Sequence, residues 1–312
     1  MTRSLLRIVS RKSPLAMWQA NHVRDRLQAV HPGLKVEIIG IKTQADVFLD
    51  TALSSLGGKG AFVKELEQAL LSGNADIAVH SMKDVTVDLP EGLALPVILR
   101  REDPRDVFIS NRFTDLQNLP ANAVVGTSSL RRQCQLKAWR RDLRIKDIRG
   151  NVGTRLKKLD DDQFDAVILA AAGMIRLGLE KRIARFIPAE QILPAIGQGA
   201  MGIEVRAGDE EILELIAGLD DERTHVCIAA ERAFNKRLNG GCHAPVAAHG
   251  TITGDQIRLS AVVGSLDGSE ILQSSLSGNS EQAVALGDQL GREMLDKGAG
   301  RILAGLLPEA GT

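Results

Sequence analysis

What most constrains this chain is an alternation of short apolar runs with capped, amphipathic helical stretches. Residues 5–10, Leu-Leu-Arg-Ile-Val-Ser, read as a short buried strand. Ser13-Pro14 then opens a helix. A serine hydroxyl can accept from the free amides of a first turn, and proline suits the first helical position because its missing N–H would have no partner there. Ala16, Ala20, Val23, Leu27 and Val30 recur at helical spacing, and His31-Pro32-Gly33 ends the pattern. Residues 34–43 read as a second strand. Strand, helix and strand in that order make a βαβ unit, which implies parallel strands and a right-handed crossover. A helix from about residue 62 to 71 and a strand over 76–80 extend it.

A second series follows: a strand near Val124, a helix over 128–141, a strand over 145–148, a helix over 154–159 and a strand over 166–170. Residues 99–105, Leu-Arg-Arg-Glu-Asp-Pro-Arg, concentrate charge and a proline between the two series and read as a crossing. Residues 192–199 read as the return, and 201–205 as a strand rejoining the first sheet. Two α/β domains joined by two crossings make a clam shell with a cleft. Beyond Asp221 the pattern changes. A long helix runs to about Leu238 and stops at Gly240-Gly241. Short strands follow, punctuated by Thr253-Gly254-Asp255 and Leu266-Asp267-Gly268, and a last helix starts near Ser280. The expected domains are 1–99 with 200–218, 105–193, and a small α+β domain over 222–312.

Of 312 residues, 44% are hydrophobic but only 3% aromatic, with no Tyr, so the core must be aliphatic. The formal net charge of zero creates no global field for nucleic acid or a membrane surface. No stretch approaches the roughly 18 apolar residues of a spanning helix, and the N-terminal apolar run is short for a signal peptide. Cys134, Cys227 and Cys242 are odd in number and lack framework spacing, which suits free thiols and a cytoplasmic location.

Charge is nevertheless segregated. Residues 131–158 hold eleven basic and two acidic side chains. A solvated basic face and a nucleic-acid surface are two readings of such a run. The second lacks aromatic residues for base stacking. A pocket for a polyanionic small molecule is the third reading, favoured by placement. Gly126-Thr127-Ser128-Ser129-Leu130-Arg131-Arg132 lies between a strand and a helix, where amides and hydroxyls suit an anion. Arg149-Gly150, Arg155, Arg176 and Arg11 also follow strands, and ligands of open α/β sheets bind beyond the carboxyl ends of strands. His80-Ser81-Met82-Lys83-Asp84-Val85 follows another strand; Asp84 is either a turn residue or an acid able to stabilise a cation and move protons.

Gly57-Gly58-Lys59-Gly60-Ala61-Phe62 lacks P-loop spacing and reads as a lid or a plain loop. Cys134 and Cys227 fall inside helical patterns, whereas Cys242 lies in the glycine-flanked Asn239-Gly240-Gly241-Cys242-His243-Ala244-Pro245. A zinc site from Cys227, Cys242, His225 and His243 is disfavoured by the lack of a C-x-x-C pair, so no metal is expected.

These segments, with Arg11-Lys12-Ser13-Pro14-Leu15-Ala16, Arg101-Glu102-Asp103-Pro104-Arg105-Asp106 and Gln198-Gly199-Ala200, resemble the porphobilinogen deaminase (hydroxymethylbilane synthase) family in order and spacing. The resemblance runs from Arg7 to near the C-terminus. It departs at Thr86, where the family commonly has Pro, and at Gln44-Ala45-Asp46, where an Arg-Gly-Asp-like run is usual. It implies two α/β domains like type II periplasmic binding proteins plus a third. It implies a transferase of tetrapyrrole (haem, porphyrin) biosynthesis carrying a dipyrromethane cofactor on a thioether to Cys242. Four porphobilinogens are added to that cofactor, with ammonia lost each time, and hydroxymethylbilane is released. By the same resemblance Asp84 is the catalytic carboxylate. Lys83, Thr127, Ser128, Ser129, Arg131, Arg132, Arg149 and Gly150 bind cofactor; Arg11, Ser13, Arg149, Arg155, Arg176 and Gln198 bind substrate; Gly57, Gly58, Lys59, Gly60 and Phe62 form a lid. Porphobilinogen is the expected partner, with no nucleic acid and no membrane, and the enzyme is expected to be a monomer. The alternatives are a non-catalytic two-lobed anion-binding module, which would need neither the cysteine nor a third domain, and an RNA-binding protein.

Overall fold

The computed structural model describes residues 4–43, 63–239 and 244–305. In chain order the elements are β1 (Leu5–Arg11), α1 (Pro14–Val30), β2 (Lys35–Ile41), α2 (Lys64–Leu71), β3 (Ile77–Ser81), β4 (Leu93–Leu99), β5 (Asp106–Ile109), β6 (Val124–Gly126), α3 (Leu130–Trp139), β7 (Arg144–Lys146), α4 (Val152–Asp160), β8 (Ala166–Ala170), α5 (Ala171–Arg176), β9 (Arg185–Ile187), β10 (Met201–Arg206), α6 (Glu210–Ile216), α7 (Glu222–Arg237), β11 (Val246–Thr253), β12 (Gln256–Gly264), β13 (Ile271–Asn279), α8 (Ala283–Asp296) and α9 (Ala299–Ala304). The chain divides into two compact units: Met1–Glu102 with Gly199–His225, and Asp103–Gln198 with Val226–Thr312.

The first unit is built on a sheet of order β2-β1-β3-β10-β4. β1 pairs in parallel with β2 and β3, whereas β10 runs antiparallel to both β3 and β4. Alternation along β1 explains how both faces are covered, since successive side chains of a strand point opposite ways. Leu6 and Ile8 join the cluster of Ala20, Val23 and Leu27 from α1 and Ile212 and Ile216 from α6. Val9 turns to the other face, with Leu66 and Leu70 of α2. The cap at α1 is as the sequence predicts: Ser13 Oγ accepts from Ala16 N at 3.3 Å, with Pro14 at the first turn.

The second unit holds two sheets. The five-stranded one has order β7-β6-β8-β5-β9, with β6 parallel to β7 and β8, and β5 antiparallel to β8 and β9. One face meets Leu136 of α3; the other meets Leu156 and Leu159 of α4 and Met174 of α5. The three-stranded antiparallel sheet β11-β12-β13 turns at Gly254 and Gly268, both at positive φ. It packs on α7, α8 and α9 through Phe234, Leu259, Leu290, Met294 and Ile302. Buried Glu231 of α7 accepts from Gly197 N at 2.7 Å and Gly250 N at 2.9 Å, so its carboxylate is satisfied inside the core. The α/β class and the small α+β C-terminal part thus agree with the sequence. Some bounds shift: the helix expected from 128 starts at Leu130, because Ser129 is its cap, and it ends at Trp139.

Candidate functional site

In the first unit, four candidates come together at the carboxyl ends of the parallel strands. Arg11 closes β1, Ser13 follows it, and Lys83 and Asp84 lie in the 3-10 turn Met82–Asp84 directly after β3. The turn is fixed at both ends: Met82 N donates to Ala200 O at 3.0 Å, and Val85 N to Met82 O at 3.3 Å. Gln19 of α1 donates to Ser81 Oγ at 2.8 Å, tying the helix to the strand end. Lys83 and Asp84 are half-buried. Gly199, from the Gln198-Gly199-Ala200 motif, has φ +89°, and a Cβ there would strike the Glu102 carbonyl oxygen, so only glycine fits.

In the second unit, the β6–α3, β7–α4 and β8–α5 junctions gather at one end of the sheet. Thr127 N donates to Lys146 O at 3.0 Å, and Ser128 Oγ donates to Ile148 O at 2.8 Å while accepting from Ile148 N at 3.1 Å. Ser128 is therefore a clasp between two junctions. Ser129 caps α3. Thr127 Oγ1 accepts from Ser129 N at 3.2 Å. Gly150 sits at φ +103° against Thr154, Asn151 caps α4, and Arg155 Nε donates to Gly150 O at 2.8 Å. Arg149 is half-buried, 3.8 Å from Asp147, and Arg176 is buried at the end of α5.

Arg131 and Arg132 are not surface cations. Their side chains are 3% and 7% exposed, and both grip Asp106, the first residue of β5. Arg131 bonds Asp106 through Nη1 at 2.8 Å and Nη2 at 3.2 Å; Arg132 does so through Nε at 3.1 Å and Nη2 at 2.7 Å. Gln198 Nε2 adds a bond at 2.9 Å, besides one to Pro104 O at 2.6 Å. Arg131 also reaches Leu193 O, and Arg132 reaches Ile168 O. Burial alone would raise the Asp106 pKa. The charges and hydrogen bonds of the two arginines outweigh it and hold the carboxyl far below the usual range. The Asp106 partnership is what the sequence reading missed. Its one signal is an acid immediately ahead of the apolar run Val-Phe-Ile.

The basic run consequently divides. Half-buried Arg140 pairs with Asp142 at 2.6 Å and donates to the carbonyls of Leu116 and Leu119, bracing the local fold; Lys157, paired with Asp161 at 3.0 Å, and Arg141 and Arg144 are exposed. The solvated-face reading holds for Lys157, Arg141 and Arg144. Arg131, Arg132, Arg149 and Arg155 belong to the strand-end group. Cys134 and Cys227 lie in α3 and α7 and are buried. Burial pushes the Cys134 thiol up to about 11, although the charge of Arg131 opposes the shift. Cys134 Sγ lies 4.0 Å from Pro245 O, which places the chain just beyond the Cys242 segment beside α3. Cys242 itself, the segment Gln44-Ala45-Asp46, and Gly57, Gly58, Lys59, Gly60 and Phe62 lie outside the described residues.

Solved structures similar in fold include a putative methionine-binding lipoprotein from Bacillus subtilis, at 12% identity, covering 68% of this chain and 90% of that one, with a TM-score of 0.43. The periplasmic VFT2 domain of BvgS from Bordetella pertussis matches at 17%, over 69% and 86%, with a TM-score of 0.43. The periplasmic aliphatic sulphonate binding protein SsuA from Escherichia coli matches at 15%, over 76% and 71%, with a TM-score of 0.42. At the level of sequence families, residues 6–214 match the porphobilinogen deaminase dipyromethane cofactor binding domain. Residues 225–296 match the porphobilinogen deaminase C-terminal domain. With these two matches over nearly its whole length, the chain belongs to the porphobilinogen deaminase family.

Proposed function

We propose that the arginine-rich strand ends of the second unit hold the dipyrromethane cofactor and that Asp84 of the first unit is the reacting carboxylate. The activity follows from membership of the family. The chain is a transferase, hydroxymethylbilane synthase, which condenses four porphobilinogens head to tail on a dipyrromethane cofactor, releases ammonia, and frees the linear tetrapyrrole by hydrolysis. A non-catalytic binding module is not favoured over this.

The observation that carries the assignment of roles is the donor set at the second sheet. Each pyrrole bears acetate and propionate arms, so the cofactor is a polyanion. The residues present suit it: two buried guanidiniums share a single carboxylate, and Arg131 Nε is buried with no acceptor among the described residues. Capped α3 and α4 start beside them, and Arg149 and Arg155 add further fork-shaped donors. When bound, the cofactor supplies the pyrrole carbon on which the chain grows. Asp84 stabilises the cation left when the substrate loses ammonia, and accepts and returns the pyrrole protons. Lys83 contacts the cofactor, and Arg11, Ser13, Arg149, Arg155 and Arg176 hold the carboxylate arms of incoming and added units; Gln198, expected among them, spends both amide N–H groups on Pro104 O and Asp106 and so supports the site without donating to an arm. Gly57, Gly58, Lys59, Gly60 and Phe62 form a lid that keeps water out during condensation.

The proposed attachment is a thioether from Cys242, whose soft sulfur suits attack on the same electrophile. The segments 105–193 and 222–312 are proposed as separate domains, supported by their separate sheets and clusters. A cytoplasmic monomer completes the proposal; no helix among the described residues is long and apolar enough to cross a membrane.

Intact mass tests the attachment. The chain should exceed its sequence mass by two pyrrole units, and Cys242→Ala should lack both the adduct and activity. Cys134→Ala and Cys227→Ala should keep both. An active, unmodified Cys242→Ala protein would sink the assignment.

A further inference from the structure

Asp106 is fully buried at the first position of β5, opposite Ala170 at the end of β8. It therefore lies at the carboxyl end of the parallel strands, where the α3, α4 and α5 junctions gather. Its side chain shares parity with Phe108, which packs on the α3 face, and this directs the carboxylate at Arg131 and Arg132. One oxygen, Oδ1, receives four donors: Arg131 Nη2, Arg132 Nε, Arg132 Nη2 and Gln198 Nε2. Such crowding fixes both guanidinium planes against one atom. An arginine has many rotamers to lose when a ligand orders it, and here they are lost before any ligand arrives.

The charges do not cancel. Two guanidiniums face one carboxylate, and Gln198 and Gln135 are neutral, so the buried group carries one positive charge in excess. In a desolvated place that excess is costly until an anion meets it. Gln135 braces the arrangement from behind: its Nε2 donates to Arg131 O at 3.1 Å, and its Oε1 accepts from Leu193 N at 2.8 Å. Leu193 O in turn accepts from Arg131 Nη1 at 2.6 Å. A fold-only counter-ion would need neither the excess charge nor a place at this end of the sheet.

We propose that Asp106, assisted by Gln198, is a positioning residue that pre-orders the Arg131–Arg132 pair to take up a carboxylate arm of the cofactor. This rests on the reading that the cofactor lies against those two arginines. Asp106 itself touches no reacting atom; it acts through the guanidiniums.

The test uses whole chain produced in cells that make no porphobilinogen, so that Cys242 starts unmodified. Substrate is then added, and acquisition of the two-pyrrole adduct is timed by intact mass. Melting temperature is recorded before and after loading. Asp106→Asn should slow loading at least ~10-fold, the scale of a mis-set buried charge partner. It should also shrink the rise in melting temperature that loading brings. Asp106→Glu keeps the charge but displaces it, so loading should fall between wild type and Asp106→Asn. Equal losses of melting temperature in unloaded and loaded protein, with loading at the wild-type rate, would show a purely structural acid and overturn the proposal. Should Asp106→Asn fail to fold, Asp106→Glu decides: loading at the wild-type rate overturns it, slower loading of a folded protein supports it. A wild-type chain that gains no adduct would instead sink the cofactor reading on which the proposal rests, whatever the Asp106 variants do.

Discussion

In the first sheet an antiparallel strand, β10, enters between β3 and β4; in the second, β5 enters between β8 and β9. The two orders, β2-β1-β3-β10-β4 and β7-β6-β8-β5-β9, match position by position, although β10 comes after its neighbours in sequence and β5 before. Each inserted strand carries one buried acid. Glu204 sits opposite Ala78, well inside β10, and Asp106 sits opposite Ala170, at the strand's start. Glu204 Oε2 bonds His80 Nε2 at 2.9 Å, faces α2, and leaves Oε1 without a partner among the described residues. Asp106 faces α3 and bonds two permanent cations. The same topological slot thus yields two results. Deep in a sheet the acid can only serve packing and polar satisfaction. At the sheet's carboxyl end it can order side chains for a ligand.

The largest effect should come from the first sheet's own strand end. Asp84→Asn keeps shape but loses charge, so the protein should fold, carry its Cys242 adduct, and turn over at least ~100-fold more slowly. Asp84→Glu should be milder. Rates measured at equal cofactor content decide this. An amide variant as active as the glutamate would make Asp84 a turn residue and leave the first sheet without chemistry.

Next in size is the contrast between the two buried acids. Glu204→Ala strands a buried His80, a loss of roughly 2–4 kcal/mol in stability. Denaturant melts should show that loss, while adduct acquisition by the folded fraction stays near the wild-type rate. If Glu204→Ala slowed loading as Asp106→Asn is expected to, the distinction between the two slots would collapse.

The contrast also marks how far sequence alone could reach. The βαβ frame was legible because its signals are local: the Ser13 cap, Pro14, and apolar spacing over one helix. The strand ends bearing Arg11, Asp84, Ser129 and Arg149 followed from that frame. β4 was not legible, since Pro96 interrupts Leu93–Leu99 and argues against a strand. The structure accommodates it because, among the described residues, β4 pairs only with β10, and Pro96 falls where the register shifts between Ile203 and Val205. The burial of Arg131 and Arg132 was hidden for a different reason. Their counter-ion lies 25 and 26 residues upstream, in another strand, so the placement that marks both as anion ligands gives no sign of the acid they already grip. Glu204 was hidden likewise, its partner His80 being 124 residues away.

The smallest effect concerns Glu67 of α2, on the same face of the first sheet as Glu204 and His80. Glu67 is buried, and burial raises its pKa above the ordinary value; the charge of Glu204 adds to the rise, and His80 opposes it. Because the folded protein holds this proton more tightly than the unfolded chain, the group lowers stability as pH climbs from the ordinary glutamate range through the raised folded value. Below the ordinary range both states are protonated, and the group contributes no pH dependence. Glutamine cannot ionise, so Glu67→Gln removes the penalty without removing bulk. The melting temperature of Glu67→Gln minus that of wild type should therefore rise as pH climbs above the ordinary glutamate value of about 4.3 and flatten beyond the raised folded pKa. Asp106 predicts the opposite sign. Its folded pKa lies below the ordinary value, so its contribution is present above the ordinary aspartate range of about 4 and fades only as pH falls through the depressed value. A Glu67→Gln difference that stays flat as pH climbs would mean that burial does not strain Glu67. The contrast between the compensated Asp106 at one sheet's end and the undercompensated Glu67 packed on the other sheet would then rest on geometry alone.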